Sequence, residues 1–168
     1  PDSPLPHTMP GKSYFEQQVR KLGINQDSKI VVYDNKGIYS SARVWWMFKS
    51  MGHEHVWVLD GGLPGWLEQG LALDERLLLK NITGNFIANP IKMLFCDWRD
   101  VLQSCESDTQ LTYDARSAQR YYGLVPEPRE GLRSGHIPGS RSLPFNELLV
   151  EGKWLKENEH LKRLFQLP

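Results

Sequence analysis

KIVVYDNKGIYSSARVWWMFKSMGHEHVWVLDGG, residues 29–62, decides the fold. KIVVYD is a short apolar run of the kind that forms a buried strand. SSARVWWMFKSMG follows with serines at its start, Val44, Trp45 and Phe48 on one face, and Gly52 at its end, which predicts a helix. HVWVLDGG then returns as a second strand. Strand, helix, strand implies a parallel pair joined by a right-handed crossover. Working outward, SYFEQQVRKL (13–22) places Phe15, Val19 and Leu22 on one helical face, with Gly23 where a C-terminal cap belongs. PGWLEQG is a short helix begun by Pro64, and residues 70–90 carry no clear period, so that 76–90 reads as a linker. Beyond it DWRDVLQSC is a helix, QLTYDAR a strand, SAQRYYG a short helix, RSLPFNELL the entry to another helix, and ENEHLKRLFQL the last. The expected fold is α/β, a parallel sheet with helices on both faces. Such sheets bind ligands beyond the carboxyl ends of their strands, and three predicted strands end in aspartate: Asp34, Asp60 and Asp114.

Composition narrows the function. The 168 residues are 40% hydrophobic and 24% charged, with twenty basic residues against twenty acidic, which suits a globular protein and gives a polyanion no overall attraction. Nucleic acid is therefore not an expected partner. No apolar run approaches the roughly 18 residues of a membrane span, and PDSPLPHTMP has neither the basic nor the apolar part of a signal peptide. A cytoplasmic protein without membrane contact is expected. Cys96 and Cys105 are too few for a disulfide framework and match no metal spacing; His53 and His55, a close pair, have no cysteine partners. No metal or cofactor is expected. The chain begins in a proline-rich loop without an initiator Met and stops at LFQLP, so both ends look cut.

PEPREGLRSGHIPGS (126–140) carries the chemical signal. Arg116, Arg120, Arg129, Arg133 and Arg141 fall close together with His136 and no lysine, opposed only by Glu127 and Glu130. Guanidinium in place of ammonium suits two-pronged recognition of a carboxylate or of a sulfur or phosphorus oxyanion. Only Tyr121 and Tyr122 lie nearby, fewer aromatics than a nucleic-acid surface would carry, so the anion should be small. Structural ion pairs are the alternative reading of Arg116 and Arg133, and Arg141 reads as a surface residue.

DAR, SAQRYYG, PEPREGLRSGHIPGS and PFNELL, in that order, resemble the opening half of the second domain of a tandem rhodanese-type sulfurtransferase. LGINQDSKIVVYD, GIYSSARVWWMF, GHEHVWVLDGG and GW resemble the closing half of the first domain, in the branch acting on 3-mercaptopyruvate or thiosulfate. The resemblance implies a rhodanese-like fold divided as 1–75, the closing half of an inert first domain; 76–90, a linker; and 91–168, the opening half of a second. It implies a double displacement in which a cysteine thiolate takes sulfur from a small anionic donor and passes it to a thiol or cyanide acceptor. By the match of SAQRYYG and PEPREG, Arg120 and Arg129 would hold the donor carboxylate, Arg129 leaning toward mercaptopyruvate. His7 matches a first-domain histidine that assists proton movement, against the plainer reading of an exposed loop histidine, and Tyr39 falls in the loop that packs near the pocket in relatives.

The family's nucleophile stands in a loop Cys-x-x-Gly-x-[Ser/Thr], and no such stretch occurs here. Cys96 and Cys105 lack the glycine and hydroxyl at the required offsets, and the equivalent first-domain loop begins with Asp34, which cannot carry a persulfide. The chain by itself is therefore expected to be inactive. A phosphatase loop of the form Cys, five residues, Arg fails as well, since Leu102 and Leu111 stand at the arginine positions. The alternative from another class is a non-catalytic anion-binding or interaction module. Two half-domains would expose strand edges, which predicts that they complete each other or exchange between two copies in a homodimer.

Overall fold

The expected strand–helix–strand is present in the computed structural model, which describes residues 8–75, 82–107 and 110–166. Its chain divides into two compact units, Pro1–Phe95 and Cys96–Pro168.

In the first unit, α1 (Lys12–Lys21) leads to β1 (Ile30–Val32), α2 (Ser41–Ser50), β2 (Val56–Val58), α3 (Gly62–Glu68) and a 3-10 turn at Lys92–Leu94. β1 and β2 are parallel, pairing Ile30 with Val56, Val31 with Trp57 and Val32 with Val58. The core is aromatic: Phe15, Phe48 and Phe86 meet edge to face at centroid separations of 5.2–6.0 Å, packed with Val19, Met51, Val56 and Ala88. Phe15 and Val19 face inward as their spacing requires, but Leu22 is exposed, because it stands after the last helical turn where Gly23 (φ 76°) redirects the chain. On α2 only Phe48 of the three expected residues is buried. Trp45 instead lies partly exposed, donating its Nε1–H to the Val56 carbonyl at 3.1 Å, and Val44 is exposed too.

Residues 82–90 are not a linker. They run extended against the first unit with Gly84, Phe86 and Ala88 buried at every second position. Their backbone groups are satisfied individually rather than by a ladder. Gly84 N–H donates to Arg20 O (2.8 Å), Asn89 N–H to Met51 O (2.7 Å) and Ala88 N–H to the Glu16 carboxylate (2.8 Å), while Arg20 Nε donates to Phe86 O (2.6 Å). A Cβ on Gly84 would fall 1.9 Å from the Ile24 carbonyl oxygen, so only glycine permits this approach. The boundary falls at 95/96, later than composition suggests.

The second unit contains α4 (Trp98–Ser107), β3 (Tyr113–Asp114), α5 (Ala118–Tyr121), β4 (Arg141–Ser142), a 3-10 turn (Phe145–Leu148), β5 (Leu149–Val150), β6 (Trp154–Leu155) and α6 (Asn158–Leu164). Asp97 and Asp100 cap α4 reciprocally: Asp97 accepts the Arg99 and Asp100 N–H groups, and Asp100 accepts that of Asp97. β3 and β4 are parallel, whereas β5 and β6 form an antiparallel hairpin. RSLPFNELL, expected to enter a helix, is thus a strand and a 3-10 turn. Pro144 keeps the preceding residue out of the helical region, and positive φ at Glu151 and Gly152 turns the hairpin.

Candidate functional site

Asp34 follows β1, and its carboxylate organises the loop into α2. Oδ2 accepts the N–H groups of Tyr39 (2.8 Å), Ser40 (2.8 Å) and Ser41 (3.0 Å), and Oδ1 accepts that of Lys36 (2.9 Å). Burial works against the charge, yet these four backbone donors outweigh it and hold the carboxyl well below the ordinary aspartate range. Residues 34–41 therefore form a cradle of N–H groups of the kind that binds anions, filled by the chain's own carboxylate. The α3 entry closes over it. Leu63 N–H donates to Asp34 O at 2.9 Å, and a Cβ on Gly62 (φ 54°) would come within 2.3 Å of Gly37 O, which accounts for glycine after Asp60-Gly61.

In the second unit a strand-ending aspartate meets an arginine instead. Arg116 reaches back to Asp114 through Nε (3.0 and 3.1 Å) and Nη2 (2.5 Å), and also donates to Glu127 (2.9 Å) and to Gly135 O (2.7 Å). Glu127, its side chain 4% exposed, is shared: Arg120 holds it side-on through Nε (3.2 Å) and Nη2 (2.5 Å). The bonds from Arg116 lower the Asp114 carboxyl and raise the Arg116 guanidinium, and those from Arg120 lower Glu127. Asp114, Arg116, Glu127 and Arg120 thus form an alternating chain whose formal charges cancel. Arg116 is the structural ion pair its position suggested. Glu127, read from the sequence only as an opposing charge, is the carboxylate that orients both arginines. The signal was its place between Pro126 and Pro128, which restrict the backbone on either side.

Arg120 and Arg129 differ in circumstance. Arg120 is half-buried and keeps Nη1 unused among the described residues, whereas Arg129 is exposed with no side-chain partner among them. Neither lines the 820 Å3 cavity of this unit, whose wall includes Thr112–Arg116 and Arg133–Pro138. His136 lies on that wall, its ring stacked on Tyr121 at 3.8 Å and its Nδ1 2.9 Å from the Tyr121 carbonyl. Arg141, read as a surface residue, donates to Gln166. His7 lies outside the described residues. Cys96 and Cys105 are exposed free thiols, and no cluster of potential metal ligands occurs among the described residues. No described helix is long and apolar enough to cross a membrane.

Residues 4–69 match the model of the rhodanese-like domain. The 3-mercaptopyruvate sulfurtransferase of Escherichia coli is 41% identical over 97% of this chain and 57% of its own length. The mitochondrial thiosulfate/3-mercaptopyruvate sulfurtransferase 1 of Arabidopsis thaliana is 39% identical over 96% of this chain and 48% of its own length. The chain spans about half the length of these curated relatives. The crystal structure of SseA from Escherichia coli, a 3-mercaptopyruvate sulfurtransferase with the rhodanese fold, superposes with a TM-score of 0.85 at 38% identity, covering 98% of this chain and 60% of that one. In its domain match, its fold and its similarity along almost its whole length to these sulfurtransferases, the chain belongs to the rhodanese-like family.

Proposed function

We propose that this chain supplies the donor-binding part of a sulfurtransferase that moves sulfur from 3-mercaptopyruvate or thiosulfate to a thiol or cyanide acceptor through a cysteine persulfide, the cysteine lying outside this sequence. In this reading the first unit is the closing half of an inert rhodanese domain and the second the opening half of a catalytic one. One observation carries it. Arg120, assigned to the donor by its motif, is held side-on by the buried Glu127 with Nη1 left over, and Arg129, two residues beyond Glu127, has no side-chain partner among the described residues. A guanidinium already oriented by a buried carboxylate loses little side-chain freedom when a second anion arrives. His7 is proposed to assist proton transfer, no cofactor is invoked, and the cytoplasm is the proposed compartment.

The test is thiocyanate formation from mercaptopyruvate and cyanide. This chain alone is expected to give none, and the longer reading frame containing it to turn over. In that longer protein Arg120→Gln and Arg129→Gln should each lower kcat/KM on the order of tenfold to a hundredfold, the worth of a charge-assisted bond. A longer protein without turnover, or variants equal to the parent, would sink this assignment.

The same reading includes a homodimer. Val31 and Trp57 are partners across the β1–β2 pair and share a face with Tyr33, and all three are exposed. A groove of 580 Å3 lined by Val31, Tyr33, Leu59, Leu63 and Trp66 lies there. Parallel sheets are ordinarily covered on both faces, and a second copy is the proposed cover.

A further inference from the structure

We propose that the 820 Å3 cavity of the second unit is a binding site for a small oxyanion that also bears a thiol or hydroxyl proton, anchored by Arg133 and separate from Arg120 and Arg129. The ionisable side chains on its wall are Tyr113, Asp114, Arg116, Arg133 and His136, and the Tyr113 hydroxyl already donates to Phe165 O at 3.0 Å. Asp114 and Arg116 cancel through their three side-chain bonds, and the rest of the Arg116 fork is spent on Glu127 and Gly135 O. Arg133 is different: it makes no side-chain hydrogen bond or ion pair among the described residues, so the wall carries one uncompensated positive charge. Arg133 is exposed, so its guanidinium is open to a solute, and the planar fork favours a carboxylate or sulfur oxyanion.

The remaining polar groups narrow the ligand. The hydroxyls of Ser134 and Ser140 already donate to the carbonyls of Val125 (3.4 Å) and Ile137 (2.6 Å), so neither proton is available to an anion. His136 must place its proton on Nδ1 to donate to the Tyr121 carbonyl, which leaves Nε2 in the neutral ring as an acceptor. One unpaired guanidinium and one acceptor nitrogen on the same wall match a small monoanion with a single donor, such as a carboxylate-bearing thiol. Its identification with the sulfur acceptor rests on the sulfurtransferase reading, but the site itself does not.

The experiment titrates this chain with mercaptoacetate, acetate and thiosulfate and follows backbone amide NMR shifts. Mercaptoacetate should move the amides of residues 133–137, and acetate should bind there several-fold more weakly. Arg133→Gln should weaken mercaptoacetate binding at least about tenfold, the worth of a charge-assisted bond. Arg163→Gln, which removes the same charge away from the cavity wall, should leave it unchanged. The site is refuted if no shifts occur at 133–137 at tens of millimolar ligand, if Arg133→Gln binds as the parent does, or if Arg163→Gln weakens binding equally. Equal affinity for acetate refutes the role of His136. Because the readout is binding to this chain, its failure leaves the turnover test of Arg120 and Arg129 untouched.

Discussion

Aspartates that end parallel strands meet two environments here. Asp34 gathers four backbone N–H groups, whereas Asp114 gathers one guanidinium. The first arrangement explains at the level of atoms why the loop after β1 is poorly suited to hold an external anion: its donors are already taken by a carboxylate that cannot leave. Asp34→Ala should cost about 1–3 kcal/mol, since it leaves the N–H groups of Lys36, Tyr39, Ser40 and Ser41 without their charge-assisted bonds. The sign of its pH dependence follows from the depressed carboxyl. Its contribution is complete above the ordinary aspartate value of 3.8 and is lost as pH falls through the lower folded value. The gap between parent and variant should therefore narrow in strong acid, as urea unfolding at a series of pH values will show. A gap that widens there would contradict the assignment.

Among the elements, the extended segment 82–90 contributes more to the first unit than its composition suggests. Phe86 is fully buried, meeting the rings of Phe15, Phe48 and His53 edge to face. Phe86→Ala should destabilise the first unit by about 3–5 kcal/mol, in the range for a large aromatic truncated in a packed core. Thermal or urea unfolding followed by the first unit's tryptophans measures it, and a loss under about 1 kcal/mol, the scale of a surface change, would restore the linker reading. The segment hid because its hydrogen bonds go to helix ends and side chains, leaving no turn signals around it. Ile82 and Ile87, both exposed, break the alternation in the sequence, so the period-two burial of Gly84, Phe86 and Ala88 shows only in the structure. The β5–β6 hairpin hid differently, since two-residue strands are too short to show alternation.

At the scale of the whole molecule, the exposed face carrying Val31, Tyr33 and Trp57 predicts association. Sedimentation at micromolar concentrations should find a dimer, and Val31→Glu should shift it to monomer; a parent chain that sediments as a monomer would end the proposal. The sequence by itself determined the α/β class, the parallel pairing of the first two strands and the arginine-rich loop, because period, capping glycines and charge are local properties of consecutive residues. It also showed that no Cys-x-x-Gly-x-[Ser/Thr] loop is present. Only the tertiary structure decided which guanidinium is spent and which is free. Arg116 is spent on Asp114 and Glu127, Arg120 shares that buried glutamate with Nη1 left over, Arg133 lines a cavity without a side-chain partner among the described residues, and Asp34 closes its own cradle. Such outcomes depend on which charges meet across turns of the chain, and a list of residue types does not contain those distances.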